Sequence, residues 1–354
     1  MKILYICGRE PTYTRNSVIL NGLILQNIDV IKCTSVANTY PKRYLEVLTK
    51  YISKINENYD VIFIGFLGQP LVPIIKRLTN KPIIFDAFIS IYDTLCYDRK
   101  KFNPNSFTGK LFYYIDKKSC EFSDITLLDT NAHIDYFVET FRLDKNKFKR
   151  IFVGADTDLF YPRNIRKENK DTFNVFYYGT YLPLHGIEYI IHSAKILEKY
   201  KEIKFKIIGN GLEYQKIMKL AKSLDVKNIE FIDWIPYTEL PIEIAKADIC
   251  LGGHFSNIDK AKRVISGKTF QFLAMKKPVI VGDNPANREL LEDRKSALFV
   301  EHSNPEDLAE KILELKDNEK LREKIAENGY KIFKENCTPE VIGKELLKII
   351  EKVI

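Results

Sequence analysis

Short apolar runs alternate with helical patterns along the whole of this sequence, and that alternation leaves few folds open. The runs are KILYI (2–6), VIFIGF (61–66), PIIFD (82–86), DITLL (124–128) and RIFV (150–153), then NVFYY (174–178), KFKII (204–208), IEFI (229–232), DICL (248–251), PVIV (278–281) and ALFV (297–300). Most are nearly continuous in Ile, Val, Phe and Tyr, as strands covered on both faces are. Between them Ile187, Ile190, Ile191, Ala194 and Leu197 fall on one face of a helix. Asn304-Pro305 and Thr338-Pro339 each combine a capping side chain with a proline suited to the first turn, and the second leads into a stripe of Ile342, Leu346, Ile349, Ile350 and Val353. Strands and helices in such succession predict α/β domains with parallel, doubly wound sheets.

A chain of 354 residues exceeds one ordinary core, so two domains are expected. The polar stretch DTDLFYPRNIRKENKDT (156–172) is the natural linker. Residues 1–165 then form an N-terminal Rossmann-like domain and 166–336 a second one. Residues 337–354 form a C-terminal helix expected to pack back on the first domain. Ligands of such sheets bind beyond the carboxyl ends of the strands, here in a cleft between the domains.

Several classes are excluded. No run of about 18 apolar residues offers a membrane span, and MKILYICGRE enters a strand too directly to be a signal peptide. The six cysteines form no C-x-x-C pair and read as reduced thiols of a cytoplasmic chain, with no zinc site. The net charge of +8 is concentrated in residues 1–165, where 23 Lys and Arg face 17 Asp and Glu. That surplus is either a solvated surface or an attraction to an acidic partner such as an anionic lipid surface. Nucleic acid is not expected, because no dense basic stripe with interleaved aromatics is present. The first strand leads to GREPTYTRN rather than G-x-G-x-x-G, which argues against a nicotinamide-dependent dehydrogenase.

The second half carries the phosphate-binding signals. YYGTYLPLHGIEYI places Gly179 and Gly186 at a strand end and a helix entry, IIGNGLEYQ places Gly209 and Gly211 around Asn210, and KAKRVISGKTFQFLAM leads through Ser266, Gly267 and Lys268 into an apolar helix. Glycines allow close backbone approach, a helix N-terminus offers free N–H groups, and Lys adds charge, a combination suited to a diphosphate.

These segments, taken in order with NIEFIDWIPYTELPIEIAKADICLGG, GDNPANRELL and ALFVEHSNPEDLAEKI, resemble the donor domain of the retaining family 4 glycosyltransferases, which have the GT-B fold of two facing Rossmann-like domains. VGADTDLFYP resembles the same family's passage into that domain. The chain departs from the family pattern in four places. Thr180 and His185 stand where the first loop usually has Arg and Lys, and Arg263 and Gln271 stand at the positions of the two motif glutamates. KAKRVISGK with Gln271 is similar to a subgroup with a K-A-x-R-V-I-P-N-K loop. The cations missing from the first loop are balanced by Lys260, Lys262, Arg263 and Lys268 on the third.

The resemblance implies transfer of a sugar, with retention, from a nucleoside diphosphate sugar to a hydroxyl acceptor, a glycan or a lipid-linked precursor. Lys268 and Arg263 with the Ser266 and Gly267 amides would hold the diphosphate. Gln271 would hold the ribose. Asn210, Trp234 and Ile235 would lie near base or ribose, and Gly8, Gly179, Thr180, His185, Gly209 and Gly211 would complete the donor site. No metal or other cofactor is implied, basic residues and helix dipoles taking the metal's place.

In the first half, Asp86 sits where a strand runs out and Asp93 seven residues later, on the same face if the segment is helical. Either can accept a sugar hydroxyl or act as a base. Arg9, Tyr13, Arg15 and Asn16 after the first strand, with Asp98, Arg99 and His133, are candidates for the acceptor side. FNPNSFTGKLFYYIDKKS mixes aromatics with Lys, suiting either a membrane surface or a partly buried helix with a basic face. The rival readings are a nucleotide-sugar 2-epimerase, which needs no acceptor, and a non-catalytic nucleotide-sugar binder.

Overall fold

The computed structural model describes residues 1–165 and 171–354; of the expected linker, residues 166–170 lie outside the described residues. The chain divides into two compact units, Met1–Asp156 with Asn336–Ile354, and Thr157–Glu335.

The first unit is a six-stranded parallel sheet of β1 (Lys2–Cys7), β2 (Asp29–Cys33), β3 (Val61–Gly65), β4 (Ile83–Asp86), β5 (Ile125–Leu128) and β6 (Phe148–Arg150), in the order β2-β1-β3-β4-β5-β6. Neighbouring residues of one strand enter different cores: Leu4 and Ile6 pack with Tyr51, Val72 and Phe137, while Ile3 and Tyr5 pack with Val18, Leu23 and Phe63. Both faces are covered, which is why the strand reads as unbroken apolar sequence. The second core is closed by Ile342, Leu346 and Ile350 of the helix Pro339–Ile350, which lies against the helix Thr14–Leu25. Each of these side chains, fully withdrawn from water, contributes roughly 2 kcal/mol. The two helices approach so closely at Gly22 and Gly343 that a Cβ on Gly343 would stand 2.2 Å from the Gly22 carbonyl oxygen.

Two strands differ from the sequence reading. β2 escaped notice because DVIKC is an edge strand whose Asp29 and Lys32 face water, so it lacks the continuous apolar signature. RIFV is not a strand beyond Arg150: Ile151, Phe152 and Val153 are buried, but the carbonyls of Ile151 and Phe152 accept from the Arg15 guanidinium, at 2.7 and 2.8 Å, instead of from a neighbouring strand.

The second unit repeats the plan with β7 (Phe173–Tyr178), β8 (Ile203–Ile208), β9 (Ile229–Ile232), β10 (Ile249–Gly253), β11 (Val279–Gly282) and β12 (Leu298–Val300), in the order β12-β11-β10-β7-β8-β9. The winding reverses between β7 and β10. The loops that leave these two strands therefore diverge and open a crevice, the place where sheets of this type bind ligands. Asn304 caps the helix Pro305–Asp317 by accepting from the Asp307 amide at 2.9 Å, and Thr338 caps Pro339–Ile350 through the Val341 amide at 3.3 Å. Among the described residues no helix is long and apolar enough to cross a membrane.

Candidate functional site

The strands of the second unit deliver their glycine loops to one edge. Gly179 follows β7, and its amide donates to Ile208 O at 3.0 Å, while Gly209 follows β8 and donates to Ile232 O at 2.9 Å. At Gly209 φ is +137° and an added Cβ would lie 2.1 Å from the Gly179 carbonyl, so the two loops touch through backbone and leave no room for a side chain. The Asn210 side chain fastens the turn: Oδ1 accepts from the Gly211 amide at 2.6 Å and Nδ2 donates to Asp233 Oδ1 at 3.3 Å. Asp233 also receives the Trp234 amide at 2.8 Å, which sets Trp234 beside the Asn210 loop with 57% of its surface free. Ile235 is half-buried next to it.

The helix Gly267–Ala274 points its N-terminus at this edge. Ser266 is buried, Gly267 is exposed, and nothing lies within 4 Å of where a Gly267 Cβ would be. Lys268 turns inward. Its Nζ donates to Ser266 Oγ at 3.0 Å, lies 4.9 Å from the centre of the Tyr177 ring, and would be 3.5 Å from a Cβ on Gly179. Burial pushes the Lys268 ammonium down to about 7. His185 joins from the β7 loop, with Nδ1 3.0 Å from the Tyr177 hydroxyl and a backbone hydrogen bond to Thr180, which is itself exposed. Burial and then the charge of Lys268 lower the His185 pKa well below the usual imidazole range.

Sequence reasoning missed His254, the residue after β10. Its ring lies parallel to His185, 5.2 Å apart at 15°, and it is 5% exposed. Burial lowers its pKa most, followed by the charges of His185, Lys268, Lys260 and His302. Among the described residues no carboxylate contributes to the shifts of Lys268, His185 or His254. An arrangement of buried nitrogen donors at a helix N-terminus, without a counter-anion, is a place for a ligand that brings its own negative charge.

The remaining donor-side candidates divide. Gln271 is buried. Its Nε2 donates to the Tyr237 hydroxyl at 2.6 Å, and its Oε1 has no partner among the described residues. Lys260 is buried like Lys268, whereas Lys262 is partly exposed and 4.0 Å from Asp259, so the expected basic cluster is half interior and half surface. Arg263 is half-buried at the end of the short turn Asp259–Lys262. A 380 Å³ cavity also exists in this unit, but at the opposite edge of β7, β8 and β9. Its Lys206 and Lys246 are already held by Glu243, at 2.8 and 2.7 Å.

In the first unit the acceptor-side candidates form a layered arrangement. Arg15 and Asp86 are fully buried and paired, Nη2 to Oδ1 at 2.8 Å and Nε to Oδ2 at 3.0 Å, beneath an aromatic group of Tyr13, Phe66 and Phe88. Asn16 is equally covered. It accepts from the Tyr5 hydroxyl and the Phe66 amide and donates to Glu10 O, bracing the loop after β1, whose Gly8 amide donates to Phe66 O. Neither Arg15 nor Asn16 reaches the surface. Arg9 does, pairing with Glu10 at 2.9 Å over the Tyr13 ring. Asp86 and Asp93 do not share a helix face: Asp86 ends β4, and Asp93 opens the separate π-helical turn Asp93–Asp98, with its amide on Ser90 Oγ at 2.9 Å. The intervening sequence is non-helical because Phe88 takes φ +57°. Asp98 is buried and Arg99 exposed. At the end of β5, Asp129 Oδ1 meets His133 Nδ1 at 2.7 Å, and His133 Nε2 is buried with no hydrogen-bond partner among the described residues. A carboxylate that orients an imidazole in this way can serve a proton transfer.

The sequence holds one Asp-x-Asp, Asp156-Thr157-Asp158. Among the described residues no group of three or more His, Cys, Asp or Glu is placed to hold a metal ion.

Residues 162–332 match the model of the family described as glycosyl transferases group 1. An uncharacterized glycosyltransferase of Methanocaldococcus jannaschii, MJ1178, is 28% identical over 191 residues, 54% of this chain and 50% of the relative. A second from the same organism, MJ1069, is 24% identical over 71% of this chain and 65% of its own length. The matches thus span half to just under two thirds of these curated relatives. In fold the likeness covers the whole chain. The crystal structure of Anabaena HepE in complex with UDP superposes with a TM-score of 0.73 at 14% identity over 99% of this chain and 100% of that one. Sucrose-phosphate synthase from Thermosynechococcus elongatus superposes with a TM-score of 0.75 at 12% identity over 99% and 98%. The fold is therefore GT-B, with two Rossmann-like domains, as the sequence led one to expect.

Proposed function

We propose that this chain, whose residues 162–332 match the group 1 glycosyl transferases, moves a sugar from a nucleoside diphosphate sugar to a hydroxyl acceptor with retention, without a metal, in the manner of family 4. The observation that carries the reading is Lys268, buried with no carboxylate partner among the described residues where the loops after β7 and β8 meet the N-terminus of Gly267–Ala274. The leaving diphosphate would take its charge from Lys268 and Arg263 and its hydrogen bonds from the Gly267 and Lys268 amides. Gln271 Oε1, buried and unpartnered, is an acceptor for a ribose hydroxyl. Trp234 offers an exposed ring to the base. In the first unit His133, oriented by Asp129, belongs to the acceptor side, while Asp86, sealed in its pair with Arg15, braces that side from within. Solved relatives of the same fold carry UDP, in the case of HepE also together with glucose.

A lipid-linked acceptor at the cytoplasmic face of a membrane fits the surface of the helix Phe107–Phe122. Phe107, 85% exposed, shares one helical stripe with exposed Leu111 and Tyr114 and with Lys118. Arg99, Lys100, Lys101 and Lys110 lie before and beside it, while Asp116 is buried and Glu121 is paired with Lys118 at 2.5 Å. An apolar stripe with a basic margin suits an anionic bilayer.

The test is a thermal-shift panel of UDP, GDP, ADP, CDP and TDP, each with its common sugars, with and without Mg²⁺, on wild type and Lys268→Ala. A nucleotide that stabilises the wild type without metal and fails with Lys268→Ala supports the donor site and names the base. Stabilisation by none at millimolar concentration overturns it. A nucleotide sugar that binds but never turns over with any glycan or lipid acceptor favours the non-catalytic binder, for which the exchange of both motif glutamates for Arg263 and Gln271 speaks.

A further inference from the structure

We propose that His254 is a direct ligand of the donor diphosphate, and that the anion enters this site together with a proton. The inference rests on the donor-site reading above and names a residue and a linkage that reading does not contain.

The position of His254 is fixed by its neighbours. The next residue, Phe255, donates its amide to His185 O at 3.2 Å and accepts from the Ser303 amide at 2.7 Å. Ser256 Oγ donates to Leu184 O at 2.7 Å, and Ser256 O accepts from His302 Nδ1 at 2.7 Å. A Cβ on Gly282 would stand 2.3 Å from the His254 carbonyl, so the end of β11 closes the loop from below. The ring is therefore held against His185 at the crevice where the loops of β7 and β10 part.

Three imidazoles gather here, and they differ in how their nitrogens are held. His302 gives Nδ1–H to Ser256 O and has Nε2 within 3.4 Å of Asn284 Nδ2, so it is neutral and occupied at both nitrogens. His185 shares Nδ1 with the Tyr177 hydroxyl and is also bonded to the Thr180 backbone. His254 Nδ1 is buried and has no hydrogen-bond partner among the described residues. An orphaned imidazole nitrogen in the interior costs free energy unless a ligand completes it.

The charges around it set the proton balance. His254 is influenced by His185 from the β7 loop, Lys268 from the helix Gly267–Ala274, Lys260 from the turn Asp259–Lys262, and His302 from the loop after β12. His302 in turn feels Lys262 and Asp283. The groups acting on His254 itself are cationic or neutral and work with burial against a bound proton, and burial does the same at Lys268: His254 is neutral at pH 7 and Lys268 titrates near it. A diphosphate reverses the sign of the local field and favours the protonated form of both. Binding must then take up protons, and affinity must fall as pH rises.

The experiment is calorimetric titration of UDP into the full chain between pH 6.5 and 8.5, in Pipes and in Tris, whose unlike ionisation heats report the protons exchanged. Wild type is expected to take up close to one proton per UDP, with Kd weakening about tenfold per pH unit across the upper half of the range. His254→Asn keeps an N–H but cannot titrate, and is expected to bind with a flatter pH dependence. His254→Phe keeps the ring and loses the donor, and is expected to bind at least tenfold more weakly at pH 7. Circular dichroism and Tm check that each variant folds, and should His254→Phe fail to fold, His254→Leu gives the same reading. Unchanged affinity in His254→Phe, or wild-type binding with no proton uptake, overturns the proposal and leaves the donor site standing. Failure of every nucleoside diphosphate in the panel to bind overturns the donor site itself.

Discussion

Arg15 grips both carboxylate oxygens of Asp86 in a place where neither side chain meets solvent. The same guanidinium holds the carbonyls of Ile151 and Phe152, so one residue ties the helix after β1 to the ends of β4 and β6. Removing one partner strands the other's charge. Asp86→Ala and Arg15→Met are each expected to lower stability by about 3–5 kcal/mol in urea unfolding, more than a surface pair could. A double variant that costs as much as the two singles added together would show that the pair is not coupled.

Lys268 is expected to trade stability for function. Its pKa is about 7 in the folded chain against 10.5 when free, so the unfolded state binds more protons between those values. Stability therefore rises with pH through that window, and the cost of burying the ammonium is fully felt below pH 7. Lys268→Met should raise stability by about 2–4 kcal/mol at pH 6.5. The gain should shrink toward pH 9, and nucleotide binding should be lost at every pH. Paired denaturation curves at the two pH values check it; a gain that grows with pH would contradict the assignment.

Gly209 stands against the Gly179 carbonyl with φ +137°. Gly209→Ala is expected to cost more than about 2 kcal/mol and to pull the β7 and β8 loops apart. Unfolding curves report the first effect, and loss of nucleotide binding in whatever remains folded reports the second.

The chain's single tryptophan is Trp234, exposed beside the Asn210 loop. Nucleotide stacking there should quench nearly all tryptophan emission in a saturable way. In Trp234→Phe the optical signal should vanish while calorimetry still detects the nucleotide, weakened by roughly 1 kcal/mol. A nucleotide that binds without changing the emission would move the base elsewhere.

Phe107 should insert into an anionic bilayer. Sedimentation with phosphatidylglycerol vesicles is expected to carry down the wild type, and Phe107→Ser to weaken partitioning about tenfold. Lys110→Glu with Lys118→Glu should weaken it further at low salt. Self-association lost in Phe107→Ser, without vesicle binding, would make this face a contact between copies instead.

Most strand segments, the two capped helices and the glycine loops with Lys268 could be read from local sequence, because burial on both faces, capping and positive φ each leave a mark within a few residues. What could not be read is pairing at a distance. Nothing near Asp86 announces that Arg15 will neutralise it, and the spacing to Asp93 suggested a helix that Phe88 interrupts. His254 follows two glycines in a stretch that looks like an ordinary strand end, and its meaning comes from His185, which only the winding of the sheet brings alongside. Gln271 could be aligned with the second motif glutamate that it replaces, yet its contact with Tyr237 depends on the course of the loop after β9.

Because residues 336–354 complete the first unit, the two units cannot mature in the order in which they are synthesised. When the ribosome has delivered residues 1–156, the groove beside Thr14–Leu25 that receives Ile342, Leu346 and Ile350 is still open to water. The second unit, contiguous from Thr157 to Glu335, has all its residues before the first has its last helix. The nascent N-terminal unit must therefore wait with an apolar surface uncovered, and a chain cut short near residue 336 would release a finished second unit tethered to an unfinished first one, a substrate for chaperones and proteases.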